Sequence, residues 1–172
     1  MGRALLLTGT VGAGKTSVAE AVGDLLAEAE VPHAVIDLDW LRRSWPAPPG
    51  DRFNVAMELR NLRSVAHNYL EAGADRLVLA GVVETGEQVR QCHDAVGVDL
   101  TVCRLKVELG VVQRRLARRH MGDHEALRRH LDRSGELDRI LDDAKVADVT
   151  VTTTSGTLRE VAADVLGAVG WE

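Results

Sequence analysis

The chain has 172 residues, 45% of them hydrophobic and 27% charged, and a formal net charge of −5. That length suits one domain with a sizeable core, and the composition is that of a globular protein rather than a disordered or fibrous one. No apolar run approaches the about 20 residues of a membrane helix, the acidic balance disfavours non-specific nucleic-acid binding, and Cys92 and Cys103 have neither zinc nor redox spacing.

Arg3-Ala4-Leu5-Leu6-Leu7-Thr8 predicts a short buried strand. It starts almost at the N-terminus, so no secretory signal is expected, and buried thiols in a reducing cytoplasm are the expected setting. Gly9-Thr10-Val11-Gly12-Ala13-Gly14-Lys15-Thr16 fits the pattern G-x-x-x-x-G-K-[ST] of a phosphate-binding loop, or P-loop. Ser17 to Ala29 then predicts a helix with Val18, Val22, Leu25, Leu26 and Ala29 on one face. Strand, glycine-rich turn and helix in this order aim backbone N–H groups and the positive helix end at one spot, which favours a nucleotide polyphosphate. ATP and Mg²⁺ are the implied cofactors. Lys15 would reach the β- and γ-phosphates, and the Thr16 hydroxyl would ligate Mg²⁺.

The rest alternates strand and helix, which implies an α/β fold of three layers: a five-stranded, mainly parallel sheet with helices on both faces. His33 to Ile36 is the second strand, ending at Asp37-Leu38-Asp39. Trp40 to Asp51 is a loop with Pro46, Pro48, Pro49 and Gly50. A long helix is predicted over Arg52 to Ala72, with Val55, Leu59, Leu62, Val65, Ala66 and Tyr69 as its apolar stripe and Gly73 at its end. Arg76 to Val83 is a strand buried on both faces. Gly86 to Ala95 is helical, Leu100 to Val107 is the fourth strand, and Glu108 to His120 and His124 to Leu141 are helices. Val149 to Thr152 is the fifth strand, and Ser155 or Thr157 caps a last helix over Leu158 to Val169.

Ligands of open α/β sheets bind beyond the carboxyl ends of the strands. Asp37, Asp39 and Glu84 all fall there. If the chain stays extended past Asp37, Asp37 and Asp39 point to one side. Asp37 is the candidate general base and Asp39 the candidate for Mg²⁺ through a bound water, with the roles open to exchange. The third strand has Ala80 and Gly81 where a metal-organising Asp is usual, so Glu84 either substitutes for it or binds the acceptor. From Arg104 to Arg133 there are nine Lys or Arg and four Asp or Glu, a segment of +5 on a remainder of −10. Within it, Arg114 and Arg118 share a helical face, as do Arg115 and Arg119. One of them, with Arg118 as catalytic and Arg114 as nucleotide-binding candidate, is expected to touch phosphate from a lid over about 114–135, hinged at Met121-Gly122-Asp123-His124. Trp40, Trp45, Arg42 and Arg43 beside the proline loop, with Phe53, Arg60, Asn61 and Arg63 on the next helix, are candidates for an acceptor pocket.

These features together resemble the P-loop small-molecule kinases: adenylylsulfate kinase, chloramphenicol phosphotransferase, and gluconate and shikimate kinases. Asp37-Leu38-Asp39-Trp40-Leu41-Arg42 resembles the Asp-Gly-Asp-x-x-Arg stretch of adenylylsulfate kinase. The resemblance implies a P-loop kinase fold, Asp37 near the acceptor hydroxyl, Arg42 near an acceptor anion, and an adenine site that includes Thr153 to Thr157. Leu38 stands in place of that family's glycine, and Arg118-Arg119-His120-Met121 stands near the place of its Lys-Gly-Leu-Tyr lid stretch. The acceptor itself does not carry over.

Two functions of different class fit this reading. The first is ATP-dependent phosphoryl transfer to a hydroxyl of a small molecule, a metabolite or an antibiotic. The second is a regulatory ATPase or switch with no acceptor of its own. A GTPase is disfavoured because no Asn-Lys-x-Asp stretch occurs, and a polynucleotide kinase by the acidic body and few aromatics.

Overall fold

The computed structural model describes residues 2–119, 123–153 and 156–171. Five strands, β1 (Arg3–Thr8), β2 (His33–Asp37), β3 (Arg76–Ala80), β4 (Asp99–Val107) and β5 (Val149–Thr153), form one sheet in the order β2-β3-β1-β4-β5. Every pairing is parallel, so the sheet is wholly rather than mainly parallel. The helices are α1 (Lys15–Glu28), α2 (Leu38–Leu41), α3 (Val55–Glu71), α4 (Gly86–Val96), α5 (Leu109–Arg119), α6 (His124–Ala144) and α7 (Leu158–Val169).

Successive side chains of a strand point to opposite faces, and β1 is apolar on both. Leu5 and Leu7 pack with Val18, Val22 and Leu26 of α1 and Val161 and Val165 of α7. Ala4 and Leu6 pack on the other face with Leu62 and Ala66 of α3 and Cys92 and Val96 of α4. The sheet is therefore the middle of three layers, as its near-continuous apolar strands require. Both cysteines are buried thiols, and burial pushes each up to about 11. Trp171 closes the first core, with the guanidinium carbons of Arg3 and Arg76 5.9 and 5.3 Å from its ring centre. No helix among the described residues is long and apolar enough to cross a membrane.

Three departures from the sequence expectation have local causes. The chain does not stay extended past Asp37, because Asp37 caps α2 by accepting from the Asp39 N–H at 2.9 Å. The long helix begins at Val55, not Arg52. Asn54 sits in the left-handed region (φ 53°), and the Asp51 carboxylate accepts from the N–H groups of Val55 and Ala56 at 2.8 and 2.9 Å. Of the expected stripe of α3, Leu62 and Ala66 are buried and Leu59 and Val65 pack against the core, but Glu58 joins the buried face and Tyr69 is exposed. Thr157 caps α7 in a reciprocal capping box with Glu160; Ser155, the alternative cap, lies outside the described residues.

Candidate active site

The ends of β1, β2 and β3 are level, since Ala80 pairs with both Leu7 and Asp37. The segments that follow them line one cavity of about 940 Å³. That is within the range of small-molecule sites, roughly 300–1,000 Å³.

The phosphate loop forms its floor. A Cβ on Gly9 would lie 2.7 Å from the Leu105 carbonyl oxygen, so only glycine passes between the loop and β4. Gly14 precedes α1 with φ 86°, a backbone state that residues with a Cβ rarely take. The Lys15 amine folds back over the loop and donates to the carbonyls of Gly9 (3.2 Å) and Thr10 (3.0 Å). Burial lowers its pKa to about 8, against the pull of Asp39 and Asp37. A polyphosphate at the loop would supply the negative charge this amine lacks.

Thr16 donates from Oγ1 to Asp37 Oδ2 at 2.8 Å. Two hard oxygens at the edge of a phosphate loop fit Mg²⁺, which takes one or two protein ligands and completes its shell with phosphate and water oxygens. Asp39, expected on the metal side, instead accepts from Arg42 Nη2. Arg42 Nε also lies 3.3 Å from Glu58 Oε2. Glu58 is 8% exposed, and burial raises its pKa although Arg42 pulls it down.

The acceptor candidates divide. Trp40 and Phe53 line the cavity and are 67% and 63% exposed, with the Arg43 guanidinium 4.4 Å from the Trp40 ring centre. Trp45 is exposed, outside any core. Asn61 does not line the cavity; its Nδ2 donates to the Leu41 carbonyl and fastens α3 to α2. Asn54 does similar work, donating to the carbonyls of Arg42 and Ser44. Glu84 lines the cavity, its N–H held by Gln88 Oε1 in the cap of α4, and its carboxylate pairs with Arg133 of α6.

Among the described residues, Arg133 is thus the arginine of the basic segment that lines the cavity. Arg114 and Arg118 are exposed on α5, and neither is among the described residues that line it. The side chains of Arg115 and Arg119, the expected hinge residues Met121 and Gly122, and Thr154 and Ser155 of the expected adenine loop lie outside the described residues. The C-terminal part of α6 is anchored. Ser134 donates to the Val11 carbonyl at 3.2 Å, and buried Arg104 of β4 bonds Asp138 (2.9 Å) and Asp142 (2.7 Å). Sequence reasoning missed Arg133, Glu58 and Arg104. A signal existed for Arg133: Ser134, Leu137 and Leu141, the buried stripe of α6, recur at helical spacing, and Arg133 flanks it.

A parallel sheet in this order, with a phosphate loop after its central strand, a carboxylate at the end of β2 and another in the segment after β3, is the arrangement of the P-loop small-molecule kinases. A family model for adenylylsulphate kinase matches residues 1–120, and the chain belongs to that family. Among solved structures, it is similar to the APS kinase of Mycobacterium tuberculosis in complex with AMPPNP and APS (26% identity, 98% of each chain, TM-score 0.61). The Deinococcus radiodurans tunicamycin resistance protein (18% identity, 99% of this chain and 96% of that one, TM-score 0.69) shares the fold. So does the shikimate kinase of Acinetobacter baumannii in complex with shikimate (19% identity, 99% and 94%, TM-score 0.61). No curated protein sequence matches the chain.

Proposed function

We propose that the protein transfers the γ-phosphoryl group of ATP to a hydroxyl of a small molecule. The observation that carries this reading is a single cavity with two unlike halves. One is the phosphate loop with Lys15 and Thr16; the other is a wall of Asp39, Trp40, Arg42 and Phe53. A switch protein has no need of the second half.

In this reading the Pγ bond to the bridging oxygen breaks, the acceptor oxygen bonds to Pγ, ADP leaves, and the acceptor proton passes to a carboxylate. Lys15 moves from the Gly9 and Thr10 carbonyls to the phosphates. Mg²⁺, when bound, spreads positive charge over the phosphate oxygens. The Thr16–Asp37 bond favours the exchange of roles left open by the sequence, with Asp37 on the metal side and Asp39 on the acceptor side. Arg42 would hold Asp39 ionised and oriented. Arg133 takes the phosphate-facing place that the sequence reading gave to Arg118.

The test is ATP consumption over a panel of hydroxylated metabolites and antibiotics. Acceptor-dependent ADP release is expected, falling on the order of 100-fold in Asp39→Asn. ATP loss that no acceptor accelerates would favour the switch.

A further inference from the structure

Glu84 and Arg133 are 49 positions apart in sequence and pair in the cavity. Each stands on a support tied to the phosphate loop. On one side, the Val83 N–H donates to Thr8 Oγ1 at 3.2 Å, and Thr8, fully buried, is the residue before Gly9. The Glu84 N–H donates to Gln88 Oε1 at 2.6 Å. On the other side Ser134, also fully buried and next in chain to Arg133, donates to the Val11 carbonyl inside the loop. Neither support uses the side chain of Glu84 or of Arg133, so both can be changed with the backbone held.

Arg133 Nη2 donates to Glu84 Oε1, and Nη1 donates to Glu136 Oε2 at 3.0 Å. Glu136 is on the same helix and more exposed than Glu84, so it is the weaker hold. These contacts use one hydrogen of each Nη, and a guanidinium has further N–H donors to offer a phosphate. An arginine side chain loose on a helix loses rotamer freedom when a phosphate fixes it; one already fixed loses less. Protein kinases hold a phosphate-binding lysine on a glutamate in a comparable way. The Glu84 carboxylate is thus committed to a cation of this chain rather than to Mg²⁺ or an acceptor, the two roles its sequence position suggested.

We propose that Glu84 is a positioning residue, which sets the Arg133 guanidinium for the phosphoryl group in transfer. The inference rests on the kinase reading above. Charge alone argues for the reverse effect: a carboxylate near a polyphosphate repels it, so its removal would tighten nucleotides of every kind. Positioning places the loss on the transition state, where an aimed donor counts most, and leaves the ground-state nucleotide almost unaffected.

The test needs no acceptor. Calorimetry measures the affinity of Mg·ADP with and without aluminium fluoride, a mimic of the phosphoryl group in transfer, and the affinity of Mg·AMPPNP. The proteins are the natural chain, Glu84→Gln, Arg133→Met and the double variant. Glu84→Gln is expected to cut the gain from aluminium fluoride at least about tenfold and to change Mg·AMPPNP affinity less than about threefold. In the Arg133→Met background the same substitution is expected to change the gain less than about twofold, because Glu84 acts through Arg133. A natural chain that gains nothing from aluminium fluoride, a gain unmoved by Glu84→Gln, tightening of both nucleotides together, or an equal loss in the Arg133→Met background would each overturn the inference. Failure of the kinase reading is distinct from these: natural protein would then not bind Mg·AMPPNP at all, and the inference would fall with it.

Discussion

Thr16 Oγ1 and Asp37 Oδ2 are 2.8 Å apart, and the bond between them ties the first turn of α1 to the end of β2. The hydroxyl that a phosphate loop offers to Mg²⁺ is thereby placed against one particular carboxylate of the two at this strand end. The other, Asp39, accepts from Arg42.

The two aspartates are therefore expected to fail differently. Asp37→Asn should raise the magnesium concentration needed for half-maximal turnover by about tenfold or more. Asp39→Asn should lower kcat on the order of 100-fold with the magnesium requirement unchanged. Magnesium titrations of both variants check this, and the opposite pattern restores Asp37 as base.

Lys15 ties stability and nucleotide affinity to pH in opposite senses. Burial holds its amine down at about 8, while an unfolded lysine titrates near 10.4. Between these values the unfolded chain binds the proton that the folded chain has released, so this group's contribution to stability rises with pH across that window. Below about 8 the full cost of burying the ammonium is present. Lys15→Met is expected to stabilise the protein by about 1–3 kcal/mol at pH 7 and to remove that rise. The same variant should lose nucleotide binding. In the natural chain, ATP binding near pH 8 should take up protons, seen as a binding enthalpy that depends on the buffer's ionisation enthalpy.

Leu38 and Gly81 compensate one another. A Cβ on Gly81 would lie 2.6 Å from Leu38 Cδ1, and Leu38 is 1% exposed. Leu38, between the aspartates, fills the space that a side chain after β3 would occupy. Gly81→Ala should cost about 1–3 kcal/mol. The cost should shrink in a Leu38→Ala background, where the double-mutant cycle should show coupling of at least about 0.5 kcal/mol. Urea denaturation of the four proteins measures it.

Arg104 holds α6 to the sheet. Its buried guanidinium bonds Asp138 and Asp142, and Lys106 joins Asp142 at 3.0 Å. Arg104→Met should destabilise by about 2 kcal/mol, below the about 3–5 kcal/mol of a fully buried broken pair because both carboxylates are partly exposed. It should also speed amide exchange along 134–144. Hydrogen bonds from Lys106 and Arg104 hold the Asp142 carboxyl below its usual range. Its stabilising contribution is therefore complete above the ordinary carboxylate pKa, about 4, and is lost as pH falls through the lowered value.

The fold was legible because its signals are local. The phosphate loop follows from its glycine spacing, and the apolar runs of β1 and β3 and the helical stripes follow from a period of 2 or 3.6; what changed were element ends and the short α2. Asp51 capping at a distance of four residues delayed α3, and Asp37 capping Asp39 turned an expected strand end into α2. The donor half of the site was legible for the same reason. The acceptor wall was legible as a neighbourhood, since Trp40, Arg42 and Phe53 line the cavity. Its pairings were not, because they join residues distant in sequence: Arg42 with Glu58, Asn61 with the Leu41 carbonyl and, elsewhere in the cavity, Glu84 with Arg133, 49 positions apart. Arg114 and Arg118 looked suitable on charge and helical spacing, but neither property fixes which helix face meets the cavity. Asn61, a sound candidate by position on α3, is committed to the Leu41 carbonyl.

The claim beneath all of this is that the loop from Gly9 to Thr16 binds a magnesium–nucleoside triphosphate, and calorimetry with Mg·ATP tests it most directly. The account predicts one site per chain whose affinity falls when magnesium is withheld and disappears in folded Lys15→Met. Folded natural protein that shows no magnesium-dependent affinity for ATP or any other nucleoside triphosphate would contradict it.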